Sequence, residues 1–277
     1  SNEFAHLAPS QIVLRLADQG RYIASESSFY RVLKAASQLQ HRSPERPRQK
    51  RSKPRALSAS AANQLFSWDI TYLPTLVTGI YFYLYLFLDI FSRKIVGWQI
   101  YESESSELAG EVMRDICKRE NIAPDQVVLH SDNGSPMKGA TMLATLQSLG
   151  VMPTFSRPSV SNDNPYSESQ FKTMKYRPNF PQRFGSIEDA RSHCQTFFAW
   201  YNSQHCHSGI GHMTPHSVNY GQAQAIREVR QATLNAAFIA TPNRFKGIRP
   251  CLKPMPTAAW INPPPEQRTT TETAQPC

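Results

Sequence analysis

Residues 65–101 read LFSWDITYLPTLVTGIYFYLYLFLDIFSRKIVGWQIY. Phe66, Trp68, Ile70 and Tyr72 alternate with Ser67, Asp69 and Thr71. That period of two belongs to a strand with one apolar face and one small, polar face. Thr78-Gly79 marks a turn, Ile80–Ile90 is a long apolar strand, Ser92-Arg93 turns the chain again, and Lys94–Tyr101 forms a third strand. Three strands joined by short turns make an antiparallel meander.

Downstream the pattern alternates. Glu104–Arg119 reads as a helix, and Gln126–His130 is a short continuous apolar run suited to a buried strand. Lys138–Leu149 reads as a helix ended by Gly150, and Val151–Phe155 as one more strand. A meander followed by alternating helix and strand predicts an α/β fold built on a mixed sheet flanked by helices. Asn164-Pro165 starts another helix, with an N-cap residue followed by proline at the first helical position. Ser186 with Asp189 opens a further helix reaching about Asn202. After Gly221 a short helical stretch leads into a tail with six prolines between residues 253 and 277, where little order is expected.

Upstream, Pro9–Asp18 and Glu26–Leu39 read as two short helices, the second capped by Ser25. They fit two readings equally well: a plain α-hairpin, or a helix-turn-helix presenting Ser27, Ser28, Tyr30, Arg31 and Lys34 to a major groove. Residues 41–55 hold seven basic residues, one acid and three prolines, the composition of an extended linker. That linker is either a solvated spacer or an arm following nucleic acid through Arg48, Lys50, Arg51 and Lys53. The expected organisation is a helical segment over 1–40, a basic linker over 41–60, an α/β core over 61–221 and a C-terminal extension over 222–277. Ser1-Asn2-Glu3-Phe4 reads as a remnant of expression, with the natural chain starting further upstream.

The charge of this 277-residue chain is unevenly spread. Residues 1–55 carry 11 basic and 4 acidic side chains, 56–221 carry 12 and 14, and 222–277 carry 7 and 3. A slightly acidic centre between two basic arms suits a polyanionic partner gripped by the arms. No apolar run reaches the roughly 18 residues needed to span a bilayer. The five cysteines are odd in number and lack a CxxC, which points to a reducing compartment rather than a disulfide scaffold.

Phosphate-loop, GxGxxG, HExxH and GxSxG motifs are all missing, and carboxylates remain as the candidates for chemistry. Asp69 lies on the polar face of the first core strand. Asp132 follows a strand in HSDNG, where α/β sheets place their ligand sites. Glu168 falls in the first turn of the helix begun by Asn164. Three converging carboxylates repel one another unless cations join them. Together with a scissile phosphodiester they carry four negative charges, which two Mg²⁺ neutralise. At roughly 100° per residue, Lys172 and Lys175 return to within about 40° and 20° of Glu168, so cations suited to phosphate share its face. Asp89, Asp125 and Asp163 are competing acids, and the residues alone do not rank Asp69 above Asp89. His130, two residues before Asp132, shares its face as a possible neighbour of the site, with Asn133 and Asn164; a structural histidine is the plainer reading. Cys194 sits on an apolar helix stripe with Ile187, Ala190, Phe197 and Tyr201, which reads as core rather than a zinc site.

The strings WDITYL, YLFLDIFSRKIVGW, LHSDNG, DNPYSESQFKTMKYRP, WYN and HSGIGHMTP resemble the integrase-type catalytic core of bacterial insertion-sequence transposases. The resemblance is to the DDE group whose transposase is split between two reading frames. Asp132 and Glu168 have thirty-five residues between them, the spacing shared by that group and retroviral integrases. The resemblance implies a ribonuclease-H-like fold. It assigns Asp69, Asp132 and Glu168 to a catalytic, metal-binding triad taking two Mg²⁺, with Mn²⁺ as a substitute. Lys175 matches the basic residue expected near the substrate end. Gln170 departs from the family, standing where an aromatic is usual, as do His205-Cys206 and the loop Pro158–Ser161.

The implied activity is metal-dependent cleavage at element ends by water, followed by attack of the freed 3′-hydroxyl on target DNA without a covalent enzyme intermediate. A hydrolytic nuclease of the same fold and an inactive DNA-binding derivative are the alternatives. The implied partners are the terminal inverted repeats and target DNA, bound by a homo-oligomer with no role for a membrane. The implied setting is the bacterial cytoplasm, at the nucleoid.

Overall fold

The computed structural model describes residues 4, 7–38, 55–157 and 163–264, which divide into two compact units at residues 53 and 54. In the first unit, α1 (Pro9–Asp18) starts on a proline and buries Ile12 and Leu16. The Ser25 side chain accepts from Ser28 N–H and caps α2 (Glu26–Ala35). This helix is shorter than its sequence predicts, because Ser37 takes a left-handed φ of 54° that ends the helical path. Arg31 and Lys34 are exposed on α2. Arg48, Lys50, Arg51 and Lys53 lie outside the described residues.

In the second unit the strands are β1 (Leu57–Ala59), β2 (Leu65–Pro74), β3 (Tyr81–Asp89) and β4 (Ile95–Tyr101), followed by α3 (Ser106–Arg119) and β5 (Val128–Ser131). Then come α4 (Ser135–Lys138), α5 (Ala140–Ser148), β6 (Met152–Phe155), α6 (Pro165–Lys175) and α7 (Ile187–Ser203). The chain continues through α8 (Pro215–Asn219), α9 (Ala223–Ala240) and β7 (Ala259–Ile261). The main sheet runs β4-β3-β2-β5-β6, antiparallel through β4, β3 and β2 and parallel from β2 to β5 to β6. A three-strand meander extended by parallel crossovers is the ribonuclease-H-like arrangement expected from the sequence.

The period-two reading of β2 sets the layers. Phe66 and Trp68 join Phe87, Val96, Val112, Ile116, Met142 and Leu146 in one core beneath α3 and α5. Trp68 stacks on Phe87 with ring centroids 5.1 Å apart, a cross-strand pair in register. On the opposite face Leu84, Leu86 and Leu88 meet Phe171 and Met174 of α6 and Phe197, Phe198 and Tyr201 of α7. The aromatic run on α7 and Cys194, which is fully buried, are therefore core. Gly97 on β4 has a strict requirement: an added Cβ would lie 2.3 Å from Ile116 Cδ1. Gly97→Ala is expected to destabilise the unit by about 1–3 kcal/mol through overpacking, read as a lower urea midpoint. An unchanged midpoint would show that α3 can shift away.

Three expectations need correction. The helix predicted over Lys138–Leu149 runs over Ala140–Ser148, and the short helix α4 precedes it unpredicted, separated at Gly139, where a Cβ would meet Ser106 Cβ at 2.4 Å. The short stretch after Gly221 is an 18-residue helix, α9. Order also continues past residue 253, since β7 pairs antiparallel with β1 and buries Ala259 and Ile261 against Ala59, Leu65 and Ile90. That pairing places Leu57–Ala59, expected in the linker, in the folded unit. Residues 265–277 lie outside the described residues.

Candidate functional site

The register of two parallel strands sets the site. Trp68 of β2 pairs with Ser131 of β5, and Ser67 with His130. Asp69 and Asp132 are each one residue further on, at the same level of adjacent strands whose backbones run about 4.8 Å apart. Side chains alternate across a sheet, so Ser67, Asp69, His130 and Asp132 belong to the face covered by α6. Both aspartates stand at the carboxyl end of β5, where open α/β sheets form their crevice.

Helix α6 is pinned over this face at both ends. Ser67 Oγ donates to Asn164 Oδ1 at 2.7 Å and is hydrogen-bonded to Ser167 Oγ, while Asn164 Nδ2 donates to the Trp68 carbonyl at 3.2 Å. All three side chains belong to fully buried residues. At the other end Lys175 Nζ donates to Thr71 Oγ1 at 2.7 Å and to the Tyr72 carbonyl at 3.0 Å. Glu168 lies on α6 between these tethers, one residue past Ser167. Asn164→Ala removes the acceptor of Ser67 and the donor to Trp68 in a dry site. It is expected to cost about 1–3 kcal/mol and to reduce the activity of the folded fraction. Full activity at wild-type stability would show that the tether does not matter.

The electrostatics match this placement. Burial raises the Asp69 carboxyl to about 7, reinforced by the negative charges of Asp132, Glu168 and Glu104 and opposed by the Ile70 N–H, which donates to Asp69 Oδ1 at 2.8 Å. Asp69 therefore feels both other members of the expected triad. Among the described residues, no group of three or more His, Cys, Asp or Glu side chains is gathered as it stands to hold one ion. The carboxylates share a field without converging on a point.

The neighbours of Asp132 hold it from one side. Ser156 Oγ donates to Asp132 Oδ1 at 2.7 Å, and Asn133 Nδ2 donates to the Ser156 carbonyl. His130 bonds through Nε2 to the Asp163 carbonyl at 2.9 Å and through Nδ1 to Thr154 Oγ1 at 3.0 Å. Burial lowers its pKa. His130 is thus a neutral strut between β6 and the start of α6. Lys172 is exposed on α6. Lys175, expected on DNA, is engaged with β2, and burial lowers its pKa.

The competing acids have other occupations. Asp89 accepts from Asn63 N–H at 2.8 Å and from Ser92 N–H and Oγ at 2.6 Å each, closing the β3–β4 turn. Asp163 binds Arg157 through Nε at 2.9 Å and Nη2 at 3.0 Å, and that cation holds its pKa below the usual carboxylate value. Asp125 sits in a turn with φ of 62°. Sequence reasoning missed the roles of Ser67, Ser167 and Ser156, whose sole signal is a small polar residue at a buried position in a strand, in a helix or just past a strand end. It also missed Glu104, just before α3, which adds a fourth negative charge near Asp69.

A mixed sheet of this order, with an acid midway along β2 level with a second just past the end of β5, defines a ribonuclease-H-like arrangement. Residues 59–161 match one family, and residues 149–215 a second, both described as Integrase core domain. Together the two matches span residues 59–215, which are therefore similar to an integrase core domain. The transposase for insertion sequence element IS904 of Lactococcus lactis is 30% identical over 161 residues, covering 57% of this chain and 61% of the relative. The transposase InsF for insertion sequence IS3A of Escherichia coli is 28% identical over 158 residues, covering 57% and 54%. The chain thus spans less than two thirds of the length of these relatives. Among solved structures, the catalytic core domain of HTLV-2 integrase in complex with magnesium is 12% identical with a TM-score of 0.42, covering 57% of this chain and 97% of that one.

Proposed function

We propose that the chain is the catalytic part of an insertion-sequence transposase, a DDE polynucleotidyl transferase. In this reading it cuts DNA at the element ends and joins the freed 3′-hydroxyl to target DNA. The observation that carries it is the side-by-side position of Asp69 and Asp132 on parallel strands, with the Glu168 helix tethered across them.

Asp69, Asp132 and Glu168 would hold two Mg²⁺, for which Mn²⁺ would substitute. The donor set fits hard divalent cations, because it offers carboxylate oxygens, and Asp69 is raised by burial first and by the charges of Asp132 and Glu168 second, both of which a cation would relieve. Bound there, such ions supply Lewis-acid stabilisation of the attacking and leaving oxygens of a phosphodiester. The chain's own groups do the positioning. Ser156 orients Asp132, and the Ser67–Asn164–Ser167 tether fixes Glu168 against β2. Lys172 offers a solvated cation to the DNA backbone from the same helix. Lys175 holds β2 in this state and reaches DNA only by exchanging that contact.

Arg31 and Lys34 on α2, with Arg48, Lys50, Arg51 and Lys53, are assigned to DNA backbone contacts, and the working form to a homo-oligomer on two element ends in the bacterial cytoplasm. A labelled duplex carrying the element's terminal inverted repeat, incubated with Mg²⁺ and target plasmid, tests the reading. Cleavage followed by joined product supports it. Cleavage without joining makes the protein a nuclease, and binding with no metal-dependent chemistry makes it a DNA-binding derivative.

A further inference from the structure

Behind α6 lies a cavity of about 380 Å³ that the proposed chemistry leaves unused. Its polar wall is made by Arg93 of the β3–β4 turn, Ser169 and Gln170 of α6, Tyr201 of α7 and His207, with Tyr166 beside them. At roughly 100° per residue, the α6 residues that line it centre about 130° away from Glu168. The cavity is therefore on a different face of the helix from the carboxylates.

The lining contains no carboxylate, and each of its polar side chains carries at least one donor. Arg93 Nη1 donates to the Ile90 carbonyl at 2.7 Å, and the guanidinium lies 4.2 Å from the Tyr166 ring centroid. Arg93 forms no ion pair among the described residues. The nearest acid, Asp89, is committed to Asn63 and Ser92. Gln170 is 3% exposed, and its Nε2 has no hydrogen-bond partner and is out of reach of solvent, so the amide offers that N–H to the cavity by turning about its last bond. A buried amide left unpaired is costly, and native structures rarely keep one without a reason. His207 Nδ1 accepts from Gly209 N–H at 3.1 Å, which leaves the ring proton on Nε2. Burial and the Arg93 charge lower His207 to about 4, so it stays a neutral donor. The Tyr201 ring adds a flat apolar wall and a hydroxyl.

We propose that this cavity binds a small organic oxyanion, a phosphate monoester or carboxylate, with its charged end on Arg93 and Gln170 and its apolar part along Tyr166 and Tyr201. The volume falls in the range of small-molecule sites and exceeds what a bare inorganic ion fills. A guanidinium outside any direct ion pair among the described residues, beside an unpaired amide N–H, suits an acceptor that carries charge. The inference does not depend on the transposase reading.

The test uses the full chain in EDTA, so that no metal bridge at the carboxylates contributes, with phenyl phosphate and benzoate as probes followed by calorimetry. The expected result is saturable binding of at least one probe. Gln170→Leu should weaken it by about tenfold, the loss of one hydrogen bond. Arg93→Met should weaken it by about a hundredfold, the loss of a charge-assisted pair. Gln170→Leu replaces a buried amide by an apolar side chain of similar size, so it keeps the test valid if Arg93→Met folds poorly. A 5′-phosphorylated oligonucleotide that displaces phenyl phosphate assigns the natural anion to a DNA end, and failure to displace it assigns a free small molecule. No binding of either probe at 10 mM, taken as roughly the weak limit for a specific site, would overturn the proposal. So would binding that Gln170→Leu leaves unchanged.

Discussion

Asp132→Asn is expected to lower metal-dependent cleavage and joining of element ends by at least about a thousandfold, the scale seen when one member of a catalytic unit is removed. DNA affinity should stay within about threefold, because the substitution removes a negative charge and no phosphate contact. The amide keeps the size of the side chain and can still meet Ser156, so the fold should survive. Asp89→Asn supplies the contrast. It makes the same chemical change in an acid that closes a turn with Asn63 and Ser92. Its cost should appear in stability, about 1.5–3 kcal/mol for charged hydrogen bonds, while the fraction that folds remains active. Should Asp132→Asn still nick DNA, or Asp89→Asn prove folded and inert, the assignment of the acids is wrong.

The second large effect is a pH dependence of stability in metal-free protein. Asp69 is raised from 3.8 to about 7 in the folded state. The folded chain then holds a proton that the unfolded chain releases, so stability falls as pH rises through the window from about 4 to 7. The loss is at most about 4 kcal/mol, at 1.36 kcal/mol per pKa unit. Buried neutral histidines such as His130 and His207 act in the opposite sense, weakening the fold as pH drops below their unfolded value. The difference between wild type and Asp69→Asn therefore isolates the carboxylate. In EDTA, the urea midpoint of the wild type should fall relative to that of Asp69→Asn between pH 5 and pH 8. Mg²⁺ should restore the wild type at pH 8, since a cation favours the ionised form. Parallel profiles for the two proteins would remove the electrostatic basis of the site.

The meander was legible because Phe66, Trp68, Ile70 and Tyr72 face a core while Ser67, Asp69 and Thr71 do not, and alternation is a local property. Helix starts at Ser25 and Ser186 were legible for the same reason, each hydroxyl accepting from a nearby N–H. What stayed hidden depends on distant partners. Nothing near Leu57–Ala59 announces a strand, because its partner Ala259–Ile261 lies about two hundred residues away. Asp69 and Asp89 looked alike until Asn63 and Ser92 claimed the second. The need for glycine at 139, between α4 and α5, is set by Ser106, which sits on another element. The triad itself came from a resemblance in motif and spacing rather than from composition, and the β2–β5 register gives that resemblance a geometric basis.

Anomalous diffraction from crystals soaked in Mn²⁺ tests the central claim most directly. The account predicts manganese peaks within coordination distance of Asp69 and Asp132, with Glu168 joining the same site in the presence of DNA ends, and no peak at Asp89 or Asp163. Manganese bound elsewhere, with the Asp69 and Asp132 oxygens free of it at millimolar concentration, would contradict it.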